Sequence, residues 1–223
     1  MSLTRGLASR LPSALPLVAK APVVPVVVIE RLEDAVPLAR ALVEGGLPLI
    51  EVTLRTAVAL EAVRHIAAEV EGAIVGAGTV VERAQIEACL EAGATFLVSP
   101  GTTPSLAEAF AETPIPVMAG CATASEAMRL AELGFEVLKF FPAEASGGVA
   151  FLKSIAGPLP HLRFCPTGGI GPANAPDYLA LPSVVAVGGS WVVPADAIRA
   201  GDFGKVRDLA KAAAGLKRAA RFG

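Results

Sequence analysis

The chain has 223 residues, of which 53% are hydrophobic and 18% are charged, and its formal net charge at pH 7 is −2. A chain of this length can bury a large core, and its near-neutral charge gives no electrostatic reason to expect binding to nucleic acid or to an anionic membrane. Prolines and glycines interrupt the uncharged runs, for example across residues 178–195, so the sequence predicts no transmembrane helix.

The cysteine and histidine residues argue against a disulfide framework and against a metal site. The three cysteines are far apart and form no CxxC pair, and neither His65 nor His161 has a second histidine at ligand spacing. Residues 11–19 lack a convincing signal cleavage site. We therefore expect a cytoplasmic protein that uses no metal and no other cofactor.

Eight short apolar runs, several of them rich in valine and isoleucine, recur along the chain. They cover residues 23–29, 48–54, 73–78, 95–100, 115–120, 137–141, 163–168 and 184–189. Their spacing is that of one compact unit of a strand followed by a helix. Between them lie segments with apolar residues three and four positions apart, which is typical of helices. Three examples, each followed by glycine, are residues 32–44, 80–92 and 123–133.

Eight such units without a long linker predict a single α/β domain over residues 1–223. The expected fold is a (βα)8 TIM barrel with an extra N-terminal helix before Val23. An open, doubly wound sheet is the structural alternative. Residues 203–222 are expected to form a final amphipathic helix whose basic residues face solvent.

Two strand runs carry charged side chains that are expected to meet. In the second run Glu51, Thr53 and Arg55 share one face, and in the sixth Lys139 lies among apolar residues. A barrel tolerates charged groups mainly on its inward face, near the carboxyl ends of the strands. A buried amine can attack a ketone, and a carboxylate beside it can move protons. This spacing favours catalysis, but a structural ion pair between Lys139 and Glu51 stays open as the alternative.

The last two runs end in glycine pairs, in PTGG at residues 166–169 and in VGG at residues 187–189. Glycines after strands seven and eight let backbone N–H groups approach an anion, and barrels commonly bind phosphate there. Two pairs at the two expected places predict a phosphate site. GAGT at residues 76–79 is no GxGxxG dinucleotide fingerprint, and we interpret it as close packing with a hydroxyl at the barrel rim.

Six motifs occur together in an order that is similar to a known enzyme family. They are EVTLRT at residues 51–56, GAGT at residues 76–79, SPG at residues 99–101, KFFPAE at residues 139–144, CPTGGI at residues 165–170 and GGSW at residues 188–191. Over residues 23–202 the chain thus resembles bacterial 2-keto-3-deoxy-6-phosphogluconate (KDPG) aldolase, an enzyme that is often bifunctional as 4-hydroxy-2-oxoglutarate aldolase.

The resemblance implies a class I, metal-independent aldolase, usually a homotrimer, that acts in carbohydrate metabolism through the Entner–Doudoroff pathway. Its substrate is a phosphorylated 2-keto acid, KDPG, which it cleaves to pyruvate and glyceraldehyde 3-phosphate. A second reaction, from 4-hydroxy-2-oxoglutarate to pyruvate and glyoxylate, is also implied. No cofactor, nucleic acid or membrane takes part in either reaction.

Residue roles follow from the same resemblance, motif by motif. Lys139 is the implied Schiff-base lysine, and Glu51 is the implied general acid and base. The residues that are implied to hold the pyruvate carboxylate or to line its pocket are Arg55, Thr79, Pro100 and Phe141. The residues that are implied to receive the phosphate are Thr167, Gly168, Gly169, Gly188, Gly189 and Ser190.

Two positions depart from the family pattern, since Ala119 stands where a proline is expected and Ser146 stands where an asparagine is expected. Both lie outside the implied lysine, acid/base and carboxylate clamp. Two alternative functions stay open, a related 6-phosphogalactonate aldolase and a phosphosugar isomerase or synthase barrel that forms no imine. A phosphometabolite-binding protein without catalysis is a third, in which Lys139 and Glu51 would be structural.

Overall fold

The computed structural model describes residues 11–219, and eight parallel strands form its single sheet. The strands are β1 (Val23–Val27), β2 (Leu49–Thr53), β3 (Ile74–Gly78), β4 (Leu97–Val98), β5 (Val117–Cys121), β6 (Val137–Phe140), β7 (Arg163–Pro166) and β8 (Val187–Gly189). Their spatial order is β7-β6-β5-β4-β3-β2-β1-β8, and single parallel bridges from Phe164 to Val184 and from Thr167 to Gly188 join the two ends. The predicted (βα)8 barrel is therefore confirmed, and the open sheet is wrong.

Helices alternate with the strands, and all but the first of them cover the outside of the barrel. They are α1 (Leu15–Val18), α2 (Ala35–Glu44), α3 (Ala59–Glu69), α4 (Arg83–Glu91), α5 (Pro104–Ala111), α6 (Ala124–Glu132), α7 (Gly148–Ala156), α8 (Ala175–Leu179), α9 (Ala195–Arg199) and α10 (Phe203–Ala214), and a 3₁₀ turn, Leu32–Asp34, precedes α2. Local hydrogen bonds fix several helix starts. The Thr103 side chain accepts from the N–H of Leu106, and Thr123 and Glu126 form a capping box at α6.

The buried side chains form two clusters, which the alternation of each strand separates. The cluster inside the barrel includes Leu49, Phe96, Val98, Met118 and Val137. The cluster between strands and helices includes Ile50, Val52, Leu138 and Phe140. Phe140 stacks on Phe151 of α7 with 5.0 Å between the ring centroids. Apolar residues thus fill both faces of the strands, and the inward face is left polar only where the site is built.

The extra N-terminal helix is present as the four-residue α1. Its Val18 and the preceding Ala14 belong to the cluster inside the barrel, together with Val24 and Leu49 from the first residues of their strands. Because these contacts lie at the amino ends of the strands, α1 closes the end of the barrel opposite the predicted site.

The C-terminal segment differs from its prediction. The helix expected over residues 203–222 ends at Ala214, and residues 220–222 lie outside the described range. Arg218, expected on a solvated face, instead donates to the carbonyl oxygens of Ala19 (2.9 Å) and Val185 (3.3 Å), and burial lowers its pKa. The segment after α10 therefore ties α1 to the barrel. None of the helices described here has both the length and the apolar character that a membrane span requires.

Candidate active site

Lys139 of β6 and Glu51 of β2 meet in the centre of the barrel. The Lys139 Nζ atom donates a hydrogen bond to Glu51 Oε1 at 3.0 Å, although 88 residues separate them in the chain. Their side chains are only 6% and 2% exposed. The inward direction predicted for both residues from strand alternation is therefore observed. A charged pair buried this deeply needs good geometry to be tolerated, and the direct contact supplies it.

Glycine residues make the space that Glu51 occupies. Gly78, at the end of β3, lies so close that a Cβ atom at this position would overlap Glu51 Oε1. A Cβ at Gly76 would approach the Phe96 ring to 2.5 Å. GAGT at residues 76–79 is thus a close-packing motif, as the sequence indicated.

Two loops that follow strands pack close to Lys139. The Phe141 ring centroid lies 5.4 Å from Lys139 Nζ, within reach of a cation–π contact. On the other side, a Cβ atom at Gly120 would overlap the backbone of Pro100, so the loop after β4 packs tightly on β5. The β5 strand pairs with β6 and places Gly120 opposite Lys139. Phe141 is therefore beside Lys139, and Pro100 packs against Gly120 of the neighbouring strand.

Two hydroxyl residues that the sequence analysis gave no role hold the Pro100 loop. The buried Ser99 accepts a hydrogen bond from the Gly120 N–H at 3.0 Å, and Thr102 donates to the Gly120 carbonyl at 2.9 Å. Ala119, the departure from the family pattern, pairs with Leu138, and both belong to the cluster against the helices. The substitution at Ala119 therefore faces away from the pocket.

Arg55 follows the end of β2 and is exposed at the barrel mouth. Its Nε donates to the Thr53 hydroxyl at 3.2 Å, and that hydroxyl donates to the Val27 carbonyl at 2.8 Å. The sequence placed Thr53 on the inward face but gave it no task. In the structure its hydroxyl is buried and bridges Arg55 and the backbone of β1 through two hydrogen bonds. Thr53 therefore fixes the position of the Arg55 guanidinium.

Thr79 and a wide cleft complete this side of the mouth. Thr79 is half-buried and has a φ of 62°, a left-handed conformation that is unusual for a β-branched residue and is found most often at functional sites. A cleft of about 580 Å³ opens beside Arg55 and is also lined by Ser190. Lys139 and Glu51 do not line this cleft. The cleft therefore adjoins Arg55, which is predicted to bind the carboxylate, and Ser190, which is predicted to bind the phosphate. The pair of Lys139 and Glu51 is shielded from solvent.

The two glycine turns lie side by side, as predicted. Gly168 and Gly169 have φ values of 102° and 76°, which favour glycine, and Thr167 bridges to Gly188. A Cβ at Gly188 would overlap the Thr167 hydroxyl, and one at Gly189 would overlap the Trp191 ring. At Gly168 it would contact the Phe141 ring at 3.3 Å. The predicted phosphate site is thus next to Phe141, whose ring lies beside Lys139.

The cysteine thiols compete poorly with Lys139 as nucleophiles. Burial raises the pKa of Cys165, which lies beside Lys139 in the sheet, to about 12. The same cause raises the pKa of Cys121 to about 12 and that of Cys89 to about 11. All three thiols are therefore protonated at neutral pH, the form in which they are least reactive. Among the described residues, no three or more His, Cys, Asp and Glu side chains group as a metal site.

Comparison with known proteins gives one consistent family. The family described as KDPG and KHG aldolase matches residues 16–209. A KHG/KDPG aldolase from Escherichia coli (strain K12) is 54% identical over 201 residues, which cover 90% of this chain and 94% of the relative. A 2-dehydro-3-deoxy-phosphogluconate aldolase from Dickeya dadantii (strain 3937) is 53% identical over the same shares. The crystal structure of KDPG aldolase from Legionella pneumophila, with pyruvate captured at low pH as a covalent carbinolamine intermediate, has a TM-score of 0.89 at 43% identity and covers 92% of this chain and 99% of its own.

Proposed function

Because the chain belongs to the KDPG and KHG aldolase family, we propose that it cleaves KDPG to pyruvate and glyceraldehyde 3-phosphate through a Schiff base on Lys139. It is a carbon–carbon lyase of the class I type, and the name KDPG aldolase links it to the Entner–Doudoroff pathway. The single observation that carries the residue assignment is the buried contact of 3.0 Å between Lys139 Nζ and Glu51 Oε1. The carbinolamine captured in the Legionella pneumophila relative supports the same chemistry.

The contact between Lys139 and Glu51 supplies the starting state for imine formation. Transfer of one proton along it converts the ammonium and the carboxylate into a neutral amine and a carboxylic acid. The amine nitrogen attacks the C2 ketone of the substrate, and the acid protonates the oxygen to give a carbinolamine. Glu51 then shuttles a proton between nitrogen and oxygen, water leaves, and a protonated imine remains on Lys139.

Cleavage uses the same two residues, but Glu51 now accepts a proton from the substrate instead of donating one. The protonated imine draws in electrons while the Glu51 carboxylate removes the proton of the C4 hydroxyl. The C3–C4 bond breaks, its electron pair forms the enamine of pyruvate on Lys139, and C4 leaves as the aldehyde carbon of glyceraldehyde 3-phosphate. Protonation of the enamine at C3 and hydrolysis of the imine release pyruvate and restore the amine.

The two ends of the substrate match two different parts of the site. We assign its carboxylate to Arg55 and Thr79 at the ends of β2 and β3, since a guanidinium binds carboxylates in a fork. Its phosphate is assigned to the residues at the ends of β7 and β8, where the glycine pairs would offer backbone N–H groups and Thr167 would offer its hydroxyl, since the Thr167 N–H already donates to the Phe140 carbonyl. Phe141 and Pro100 enclose the carbon chain between these ends.

The relatives favour this reaction over the alternatives left open by the sequence. The proteins at 43–54% identity described above all have KDPG aldolase names. A non-catalytic binding protein would account for the phosphate turns and for Arg55, but it would give the buried contact between Lys139 and Glu51 no task beyond structure. Catalysis explains all three features together.

The function is tested by product analysis with purified protein and synthetic KDPG. We expect equal amounts of pyruvate, measured with lactate dehydrogenase, and glyceraldehyde 3-phosphate, and no change after treatment with EDTA. Binding of KDPG without release of either product would overturn the proposal.

We also propose turnover of 4-hydroxy-2-oxoglutarate, as the name of the Escherichia coli relative indicates for that protein. A parallel rate measurement on the two substrates gives the preference.

Two further proposals concern assembly and location. We propose a homotrimer, which light scattering tests against the chain mass of 22.6 kDa. We also propose a cytoplasmic location, supported by the three buried free cysteines, and cell fractionation tests it.

Thr53 provides a prediction for the carboxylate end. Thr53→Val keeps the shape of the side chain but removes the hydroxyl that accepts from Arg55 and donates to Val27. We expect the KM for KDPG and the concentration of pyruvate that half-saturates imine trapping to rise about tenfold, as for loss of a hydrogen bond to a charged group. The kcat should change less. Thr53→Ser, which retains the hydroxyl, is the matched control, and equal KM values for the two variants would show that this hydroxyl does not position Arg55.

A further inference from the structure

Tyr178 is the only tyrosine in the chain, and the sequence alone is consistent with a residue that fills the core. It lies on α8 with its side chain fully buried, and its hydroxyl donates a hydrogen bond to Glu144 Oε1. Tyr178 and Glu144 are 34 residues apart, and α8 is the helix that follows the glycine turn at residues 168–169. The bond therefore joins the loop after Lys139 to the element after the predicted phosphate site.

The backbone of Glu144 is already tied to that turn. The Ala143 N–H donates to the Thr167 carbonyl at 2.8 Å, and the Glu144 N–H donates to the Gly168 carbonyl at 3.1 Å. These bonds direct the carbonyl oxygens of the turn toward the KFFPAE loop. Since an amide presents its N–H opposite its carbonyl, the arrangement leaves the N–H groups of the turn available for an anion.

The Glu144 side chain packs directly on the turn. A Cβ atom at Gly169 would lie 2.7 Å from Glu144 Cγ, and one at Gly148 would lie 3.0 Å from the Tyr178 hydroxyl. From the other side, Asn174 donates to the Gly169 carbonyl at 3.1 Å. The conformation of the turn is thus set by contacts with Glu144 and Asn174. Tyr178 in turn fixes the position of the Glu144 side chain.

The same contacts have an electrostatic consequence. Glu144 is in contact with a turn that is proposed to bind phosphate, and a carboxylate that swung toward a bound phosphate would repel it. The hydrogen bond from Tyr178 holds one carboxylate oxygen against α8. Burial, and then the bond to Glu144, raises the pKa of the Tyr178 phenol, so it stays a donor across the neutral pH range.

We propose that Glu144 and Tyr178 are positioning residues for the phosphate half of the substrate. Tyr178 holds the Glu144 carboxylate against α8, and the Glu144 side chain holds the Gly168–Gly169 turn in the form that binds phosphate. Neither residue touches the reacting carbon atoms, so the pair acts on binding of phosphorylated substrate and not on imine chemistry. This inference rests on the proposed function.

The test separates the two halves of the substrate. Tyr178→Phe is expected to raise the KM for KDPG about tenfold, as for loss of a hydrogen bond to a charged group, and to weaken inhibition by inorganic phosphate to a similar degree. Borohydride trapping of pyruvate, which has no phosphate, should change less than about twofold, and so should kcat. Thr95→Val, which removes a hydroxyl bond to the Val75 carbonyl away from the turn, is the control and should alter neither quantity.

A merely structural role predicts a different result. If Tyr178 only fills the core, Tyr178→Phe leaves the KM for KDPG unchanged, or lowers pyruvate trapping and KDPG cleavage together, and either result overturns the proposal. Should Tyr178→Phe fail to fold, Glu144→Ala decides, because this side chain is exposed. Tyr178 already holds the Glu144 charge in place, so the loss of the Glu144 packing contact with Gly169 should dominate and raise the KM for KDPG alone.

The sole tyrosine also gives a spectroscopic readout. Absorbance titration of the wild type should place the phenol ionisation above its usual range, and Glu144→Gln should move it down, since the charge that raises it is removed. An unmoved titration would show that the two side chains are not bonded. Failure of the wild type to cleave KDPG would defeat the proposed function itself. Cleavage by the wild type with an unaffected Tyr178→Phe variant would defeat only this inference.

Discussion

Lys139→Ala is expected to abolish the covalent adduct that borohydride forms on the wild type in the presence of pyruvate. Reduction of the imine should add one pyruvate-derived group per chain, which mass spectrometry of peptides places on Lys139. Without the amine no imine forms, so we expect KDPG cleavage to fall by about 10⁴-fold or more, as for loss of a covalent nucleophile. A structural ion pair predicts no adduct on Lys139 in the wild type.

Two variants control for other consequences of the change. Lys153→Ala removes an exposed lysine of α7, and its adduct and activity should equal those of the wild type. Lys139→Ala also leaves Glu51 buried without its partner, which lowers stability by about 3 to 5 kcal/mol in comparable cases. Lys139→Met fills the space better and should be equally inactive. Adduct formation in a folded Lys139 variant would show that another amine does the chemistry.

The barrel could be predicted because its signals are local and repeated. Eight apolar runs at the spacing of a βα unit leave few arrangements, and alternation within EVTLRT and within residues 137–141 indicated which side chains point inward. The pairing of Lys139 with Glu51 could therefore be predicted from the sequence. The distance between the two side chains could not be predicted, because it depends on how β2 and β6 face each other across the closed sheet.

The supporting residues escaped prediction for a physical reason. Thr53, Ser99 and Tyr178 act through hydrogen bonds to partners 26, 21 and 34 residues away, and such pairs have no pattern in a single sequence. The weakest prediction was the C-terminal helix, since the periodicity of residues 203–222 continues past the point where it ends. The helix ends where Gly215 caps it, and Arg218 beyond the cap bonds to the carbonyl oxygens of Ala19 and Val185.

Ion pairing and catalysis make different demands on Glu51, and Glu51→Gln separates them. The amide keeps the size of the side chain and an oxygen that accepts from Lys139 Nζ, but it cannot take up a proton. We expect kcat for KDPG to fall by about 10² to 10⁴-fold, the usual contribution of a general acid or base. If Glu51 served only as a partner for the lysine, stability would fall while turnover of the folded variant stayed near that of the wild type.

Exchange of the pyruvate methyl protons in D₂O isolates the proton-transfer step, because the enamine forms only when a base removes a proton from C3 of the imine. Proton NMR should show rapid exchange with the wild type and slow exchange with Glu51→Gln, whereas exchange at the wild-type rate would contradict the role of Glu51. Gly78→Ala tests the same point without altering the carboxylate. Its new Cβ would overlap Glu51 Oε1 and displace the group from Lys139, so exchange should slow here too. Slow exchange in both variants would mean that the position of the carboxylate, and not only its presence, sets the rate.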